Sequence, residues 1–154
     1  MIKYPRATTA EDYEAAKFLF QEYAANIKID LGFQKFDREL DQLESMYSLP
    51  EGGIILAEDQ GVFLGCVGIR RIDDAIGELK RMYVRPGNQG KGIGKKLLTC
   101  AVELAKDCGY EKIRLDTLNT MRSAIHLYTK EDFYEIPPYY LNPNATAVFF
   151  EKQL

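Results

Sequence analysis

The spacing of hydrophobic and polar residues changes along the chain between a helical and a strand-like period, which predicts a mixed α/β fold. A capping pattern at Thr8–Thr9, with Glu11 and Asp12 following, opens the first helical stretch. Helical spacing predicts helices that end near Ile27 and that cover about 36–47, 91–107 and 123–130. Alternating or short apolar runs predict strands at 2–7, 54–58, 62–70, 77–84, 112–117, 133–136 and 145–152.

The order of these elements predicts one mixed sheet with helices on its faces. Residues 2–7 are predicted as an edge strand, because Pro5 cannot donate to a central ladder. Residues 137–144 are rich in proline and predict a rigid loop. No repeat or linker interrupts the pattern, so a single domain is predicted over 1–154.

Composition narrows the class of protein. The chain has 154 residues, of which 46% are hydrophobic and 28% charged, as is usual for globular domains. No apolar run approaches the roughly 18 residues of a membrane span, and the N-terminus lacks the apolar core of a secretory signal. The three cysteines are scattered, which favours reduced thiols. We therefore expect a cytoplasmic protein without a disulfide framework or a membrane partner.

The net charge of -3 hides an uneven distribution. Residues 1–79 carry a net charge of -7, and residues 97–154 carry -2. Residues 80–96 contain six basic residues and no acid. A solvated helix face and an anion site both explain such a segment. The acidic remainder argues against a nucleic-acid partner and favours a cationic amine.

The basic segment contains a glycine-rich turn, Gln89–Gly94, that follows a predicted strand and opens a predicted helix. Free backbone N–H groups and the positive end of the helix dipole make such a turn a phosphate cradle. A tight turn beside solvated lysines explains the same pattern, and both interpretations stay open at this point. The spacing fits neither a P-loop nor a dinucleotide-binding fingerprint.

The segment Glu78–Leu98 resembles the acetyl-CoA-binding motif of the GNAT superfamily of N-acyltransferases. The family pattern Gln/Arg-x-x-Gly-x-Gly/Ala is matched by Gln89–Gly94. Downstream, Ala124–Phe133 resembles the family's Ala-x-x-Leu-Tyr-x-x-x-Gly-Phe. Asp132 replaces the glycine of that pattern, and Asp tolerates a positive φ better than most residues.

The resemblance implies a GNAT-type fold, with a mixed, mostly antiparallel central sheet flanked by helices and splayed at the acyl-CoA site. It implies that backbone groups of Met82 and Val84 pair with the pantetheine arm. The spacing of Leu79, Met82 and Val84 breaks strict alternation, which predicts a bulge in this strand. The residues implied to hold the CoA phosphates are Gln89, Gly90, Lys91, Gly92, Ile93, Gly94, Lys95 and Lys96.

The resemblance also implies catalytic roles. Glu78 matches a family glutamate that acts as a base through water, and partial burial is expected to raise its pKa. The alternative is an exposed strand-end carboxylate in an ion pair. Tyr128 matches the tyrosine that serves as general acid toward the CoA sulfur, and a packed aromatic ring is the alternative. Asn119 precedes the last helix, where it either caps that helix or contacts CoA, and the cap is favoured.

The other reactive side chains receive structural interpretations. The sole histidine, His126, is expected at the surface. Cys66, Cys100 and Cys108 have no nearby ligand-type partners in sequence, so core packing is favoured and no metal site is expected.

The function implied is transfer of an acetyl group from acetyl-CoA to the amine of a small molecule or peptide. A CoA-binding sensor without catalysis and an acyltransferase with another donor or acceptor remain alternatives. In this family the acceptor site uses the first helices and the late loop, here about 21–47 and 136–145. Homodimerisation is left open. Aromatic residues that line an acceptor pocket or belong to the core are Tyr23, Phe33, Tyr47, Tyr139 and Tyr140.

Overall fold

The computed structural model describes the backbone of residues 1–154 and every side chain except that of Phe33. The helices of the described backbone are α1 Ala10–Ile27, α2 Phe36–Asp41, α3 Leu43–Met46, α4 Ile93–Asp107 and α5 Arg122–Lys130, with a short 3-10 helix at Gly32–Gln34. The strands are β1 Gly53–Asp59, β2 Val62–Arg71, β3 Ile76–Val84, β4 Lys112–Leu118, β5 Tyr134–Ile136 and β6 Ala147–Gln153. The predicted mixed α/β class is confirmed.

The strands form one sheet in the order β1-β2-β3-β4-β6-β5. Neighbouring strands are antiparallel, except that β3 and β4 run parallel. A parallel pair needs a crossover connection, and α4 provides it. The sheet is therefore mixed and mostly antiparallel, as predicted.

Helices pack on both faces of the sheet. The apolar stripe of α4, which includes Leu97, Leu98 and Ala101, is buried with the core residues on one face. On the other face, Leu19 and Phe20 of α1 are buried in a second cluster. Helix α1 begins with the predicted capping signal, because Thr9 and Asp12 hydrogen-bond each other's backbone N–H groups. Each face of the sheet is thus covered by a helix that the spacing of apolar residues predicted.

Two element predictions are wrong in detail. Residues 2–7 form no continuous strand; they touch β1 through isolated bridges at Lys3–Glu58 and Arg6–Ile55. Pro5 lies between the two bridges and has no N–H to extend the ladder. The helix predicted over 36–47 is broken at Gln42, whose φ of -118° and ψ of 27° are not helical. The hydrophobic spacing continues across this break and therefore conceals it.

Strand β3 contains the predicted bulge. Cys66 of β2 pairs with Tyr83, whereas Gly68 pairs with Lys80, so Val67 lies opposite two residues instead of one. One of these two residues, Arg81, has a φ of 58°, in the left-handed region that non-glycine residues seldom adopt. The bulge lets Lys80 and Arg81 both contact Gln34, on the α1 side of the sheet.

The two parallel strands separate after a short paired stretch. β3 and β4 pair only from Ile76–Lys112 to Glu78–Arg114. Beyond this point β3 continues to Val84 and β4 continues to Leu118 with no ladder between them. The sheet is therefore splayed in its centre, and the gap is the position of the candidate site.

Candidate active site

The gap between β3 and β4 contains a cavity of about 40 Å³, which we call the inner cavity. Residues of β3, β4 and α5 form its walls, and residues 27–34 and 142–144 cover it. Its lining combines apolar groups with the charged side chains Lys80, Arg81 and Asp116. The space admits a few water-sized groups.

A larger open cleft of about 610 Å³ adjoins the inner cavity. The two spaces share the lining residues Tyr23, Ile27, Met82, Leu118 and Met121. The cleft extends from the C-terminal half of β3 to the start of α4 and the first turns of α5. A long ligand lying in the cleft could therefore place one end in the inner cavity.

The start of α4 presents free N–H groups to the cleft. Gly90 and Gly92 have φ values of 79° and 72°, and none of the described side chains caps the helix at Gly92. The bond from Lys96 N to Gly92 O opens the helical series, so the preceding three N–H groups have no intrahelical acceptor. Gly94, in this turn, lines the cleft. This geometry is that of an anion cradle.

The basic segment 80–96 is divided between two places in the fold. Lys91, Lys95 and Lys96 are exposed near the start of α4. Lys80 and Arg81 are buried, with exposed fractions of 4% and 5%, and they line the inner cavity. The basic residues that are continuous in sequence therefore separate into an exposed group at the start of α4 and a buried pair in β3.

The free edge of β3 is oriented toward the cleft. Arg85 N donates to Leu64 O at 2.8 Å, so the backbone groups of Arg85 face β2. Alternation along the strand then turns the backbone groups of Val84, and of Met82, away from β2 and toward the gap. Both residues line the cleft. An extended chain in the cleft could add to this edge as a strand does.

Asn119 does not cap α5. The helix begins after Met121, and within the described part of the structure no side chain caps it. Asn119 is exposed, and its backbone N–H donates to Thr146 O at 2.8 Å. The predicted cap is wrong because the chain turns at residues 119–121, which places Asn119 two residues ahead of the cap position.

Tyr128 lies at the junction of the inner cavity and the α4-side core. It is 4% exposed, and its ring packs against Phe133 and Phe150. Among the described residues, no group hydrogen-bonds its hydroxyl, although the residue lines the inner cavity. Burial raises the pKa of Tyr128, so the phenol stays protonated. Its hydroxyl is therefore a proton donor without a protein acceptor.

Glu78 is buried and held by two donors. Arg70 Nε donates to one carboxylate oxygen at 3.0 Å, and the Tyr139 hydroxyl donates to the other at 2.7 Å. Burial by itself raises the pKa of Glu78, but Lys80, Arg70 and the Tyr139 hydroxyl outweigh it, and the pKa is lowered. The expected upward shift is therefore wrong. Glu78 is an ionised carboxylate that contacts the inner cavity only through its neighbours.

Glu78 belongs to a larger group that we call the buried charge cluster. Arg81 binds both carboxylate oxygens of Glu39, at 2.9 and 3.1 Å, and Arg70 lies 3.6 Å from the same carboxylate. Salt bridges and buried hydrogen bonds of this kind leave few charges uncompensated. The members are Glu39, Arg70, Glu78, Lys80, Arg81 and Asp116.

Asp116 brings β4 into the cluster across the gap. Its Oδ1 lies 3.7 Å from Lys80 Nζ, and its Oδ2 accepts hydrogen bonds from Tyr140, Gln34 and Asn142. Burial lowers the pKa of Lys80, against the opposing influence of Glu78 and Asp116. The late loop, through Tyr140 and Asn142, is thus tied to the floor of the inner cavity.

Comparison with known proteins identifies this architecture. The family model described as the acetyltransferase (GNAT) family matches residues 13–133. An uncharacterized N-acetyltransferase of Schizosaccharomyces pombe is 34% identical over 146 residues, covering 94% of this chain and 90% of that protein. The chain belongs to the GNAT family. It is an acyl-CoA-dependent N-acetyltransferase.

Solved structures of GNAT proteins share the fold. A GNAT acetyltransferase of Staphylococcus aureus superimposes with a TM-score of 0.81 at 26% identity, covering 99% of both chains. A GNAT acetyltransferase of Elizabethkingia anophelis with acetyl-CoA bound has a TM-score of 0.68 at 20% identity, covering 99% of this chain and 98% of that one. The splayed sheet described above is therefore the GNAT fold.

Several GNAT positions of this chain agree with their predicted surroundings. Asp132, at the position of the family glycine, has a φ of 69°, so the left-handed turn is kept. His126 is exposed, as predicted. Cys66 is buried and unpaired, and burial raises the pKa of its thiol, which suits core packing rather than thiolate chemistry. Cys100 and Cys108 are half-buried and also free.

The aromatic residues that the sequence assigned either to an acceptor pocket or to the core lie in different places. Tyr47 is fully buried in the α1-side core, and Tyr23 lines both the cleft and the inner cavity. The rings of Tyr139 and Tyr140 pack edge-to-face with Phe149, and their hydroxyls donate to carboxylates of the buried charge cluster. The side chain of Phe33 lies outside the described residues.

The polar side chains around Asp116 carry no signal in the sequence. Gln34 bridges Lys80, Arg81 and Asp116, and Asn142 supports the same carboxylate, yet no local motif marks either residue. Arg122, at the first position of α5, lines the cleft and was also missed. No helix in the described part of the chain has the length and hydrophobicity of a membrane span.

Proposed function

We propose that this GNAT enzyme uses acetyl-CoA and transfers its acetyl group to an amine by direct attack of the amine on the thioester. The new C–N bond forms as the C–S bond breaks, one amine proton leaves, and the sulfur is released as the thiol of CoA. The observation that carries the proposal is the continuity between the cleft, with its anion cradle, and the inner cavity in the splayed sheet.

The residues present fit acetyl-CoA. The free N–H groups of Ile93, Gly94 and Lys95 suit the pyrophosphate, and the exposed Lys91 and Lys95 suit the remaining phosphates. The backbone edge at Met82 and Val84 suits the amide groups of the pantetheine arm. Gln89, which lines the cleft, orders the loop by accepting a hydrogen bond from Gly87 N at 3.0 Å. The Elizabethkingia relative, which has acetyl-CoA bound, supports this choice of donor.

Tyr128 is the general acid in this proposal. Its phenol remains protonated at neutral pH, and its hydroxyl lies on the inner cavity, into which the cleft leads. A proton delivered from this hydroxyl would neutralise the departing sulfur.

Glu78 has a less direct part than the sequence suggested. Both of its oxygens already accept hydrogen bonds from the protein, and its carboxylate stands behind the Tyr139 hydroxyl. We propose that Glu78 keeps Arg70 and Tyr139 in place. Asp116 is the carboxylate that lines the inner cavity, and it is the proposed acceptor of the amine proton.

Binding of acetyl-CoA tests the proposal first. Isothermal titration of the protein with acetyl-CoA is expected to show saturable binding. The adenosine fragment of CoA, 3′,5′-ADP, is expected to compete with acetyl-CoA for this site. No heat of binding at millimolar acetyl-CoA would reject the proposal. Binding without thiol release for any amine would indicate a CoA sensor instead.

A further inference from the structure

The inner cavity is unusual in its charge. Two cationic side chains, Lys80 and Arg81, line it from β3, and one carboxylate, Asp116, lines it from β4. The remaining members of the buried charge cluster, Glu39, Arg70 and Glu78, lie behind these three and balance them. With three carboxylates and three cations, the cluster is neutral when all six groups are ionised.

The two cations have unused hydrogen-bond donors. A lysine ammonium has three N–H donors, and Lys80 makes one hydrogen bond, to Gln34 Oε1 at 3.3 Å. Arg81 makes three hydrogen bonds with its five donors. Both side chains are at least nine-tenths buried and line the cavity, so a ligand oxygen in the cavity could accept from N–H groups that the described residues leave free. Hydrogen bonds from a charged donor to a ligand oxygen are stronger than those from a neutral donor.

The contact between Lys80 and Asp116 is loose. Their charged atoms lie 3.7 Å apart, too far for a hydrogen bond, and Asp116 Oδ1 has no other partner among the described residues. A ligand with both charges could insert here, with an anionic group against Lys80 and Arg81 and an ammonium against Asp116. A ligand with positive charge only would add a third cation to a wall that already holds two, which is unfavourable at low dielectric.

We propose that the acceptor is a free α-amino acid, whose carboxylate binds Lys80 and Arg81 and whose amine lies beside Asp116. This proposal rests on the proposed acetyl transfer and names its substrate class. It reverses the bias toward a cationic amine that the acidic N-terminal half suggested. Two of those acids, Glu22 and Glu39, are already paired with Arg85 and Arg81 and offer no charge to an acceptor.

The dimensions of the site support a carboxylate on the carbon next to the amine. The inner cavity of about 40 Å³ has room for a compact head group but not for two charged groups on a long chain. An outer depression of about 440 Å³ adjoins it and shares the lining residues Ile29 and Asn144. The amino acid side chain would extend into this depression, between residues 28–30 and 143–144.

Matched acceptors test the proposal. Thiol release from acetyl-CoA is measured with a panel of L-amino acids, with the α-amide of each, with the corresponding decarboxylated amines and with a polyamine. We expect kcat/KM for the best amino acid to exceed that for its α-amide by about tenfold or more. The amide has the less basic amine and so the larger free-base fraction, which works against the predicted order.

A substitution of Lys80 tests whether this residue causes the preference for the amino acid over its α-amide. Lys80→Met is expected to raise KM for the amino acid more than KM for acetyl-CoA, and to bring the ratio between acid and amide close to one. Lys106→Met, on the exposed face of α4, is the control and is expected to leave that ratio unchanged. If Lys80→Met does not fold, Lys80→Arg keeps the charge, and it should retain the preference for the acid.

The outcomes separate this inference from the proposed function. Equal or better turnover of the amides, the decarboxylated amines or the polyamine would overturn the inference while acetyl transfer stands. Absence of acetyl-CoA binding and of thiol release with every acceptor would overturn the proposed function and the inference together. A preference for the amino acids that disappears in Lys80→Met supports both.

Discussion

Glu39 and Arg81 form a bidentate ion pair, with N–O distances of 2.9 and 3.1 Å, that joins the short helix α2 to the bulge of β3. Glu39 is fully buried, and Arg81 is the bulge residue with a φ of 58°. A left-handed conformation of a non-glycine residue persists only where the surroundings hold it. The pair therefore stabilises the bulge that positions β3 beside the cleft.

Removing the charge of Glu39 is expected to destabilise the fold. Glu39→Gln leaves Arg81 buried with an uncompensated charge, and breaking a buried pair in this way costs about 3 kcal/mol or more. The free energy of unfolding from urea denaturation measures the change. Glu14→Gln, an exposed glutamate of α1, is the control and should change the stability by less than about 0.5 kcal/mol. Equal stability of the two variants would show that the pair contributes nothing.

The same pair predicts how stability depends on pH. Burial by itself raises the pKa of Glu39, but its hydrogen bonds and ion pairs with Arg81 and Arg70 outweigh it, so the pKa is lowered. Below the ordinary glutamate pKa of about 4.3, the unfolded chain binds the proton that the folded chain resists. The contribution is therefore complete above about pH 5 and is lost as the pH falls through the folded pKa. Denaturation at several pH values should show a shallower acid loss for Glu39→Gln, and identical slopes would contradict this account.

Gly94 allows binding and folding to be tested separately. It is helical, and a Cβ added to it meets Leu127 and Val84 only at ordinary contact distances of 3.7 and 3.9 Å. A glutamate near the start of a helix is favourable, so Gly94→Glu should raise the melting temperature or leave it unchanged. The same carboxylate would repel the CoA phosphates and weaken acetyl-CoA binding by about tenfold or more.

Gly94→Gln is the matched control for this substitution. It adds nearly the same volume without the charge, so it should weaken acetyl-CoA binding less than Gly94→Glu. Calorimetry and thermal melts on the two variants measure both effects. Equal affinities of the wild type and Gly94→Glu would place the phosphates elsewhere.

Tyr128→Phe should separate catalysis from structure. The hydroxyl makes no hydrogen bond with the described residues, so its removal should change the free energy of unfolding by less than about 0.5 kcal/mol. Loss of a general acid should lower kcat by roughly 100-fold, while KM for acetyl-CoA changes little. Tyr134→Phe, an exposed tyrosine of β5, is the control. An unchanged kcat in Tyr128→Phe would reject the assigned role.

Local signals in the sequence were sufficient for most of the fold. The capping box at Thr9, the apolar stripe of α4 and the glycine-rich turn each occupy a few consecutive residues, and their physical effects act over the same short range. The bulge of β3 could also be predicted, because an extra residue disturbs the two-residue alternation of apolar positions. The break in the helix at Gln42 could not be predicted, because the helical spacing of apolar residues continues through it.

The contacts of the buried charge cluster could not be predicted in the same way. Gln34 and Asp116, which share a hydrogen bond, are 82 positions apart, and only the folded sheet brings them together. The direction of the Glu78 pKa shift also depends on neighbours from different elements, since burial and the surrounding cations act in opposite senses. In the sequence Lys80 belongs to the basic segment 80–96, whereas the fold places it in the buried charge cluster.

The most direct test of the central claim is thiol release from acetyl-CoA by the purified protein, with mass spectrometry of the acceptor in the same reaction. The account predicts saturable release that depends on an amine, with one acetyl group, a gain of about 42 Da, found on nitrogen for each thiol formed. It also predicts that Gly94→Glu and Tyr128→Phe lower this rate, through KM for acetyl-CoA and through kcat respectively. Release that does not depend on any amine, or an acceptor that is never acetylated, would contradict the account.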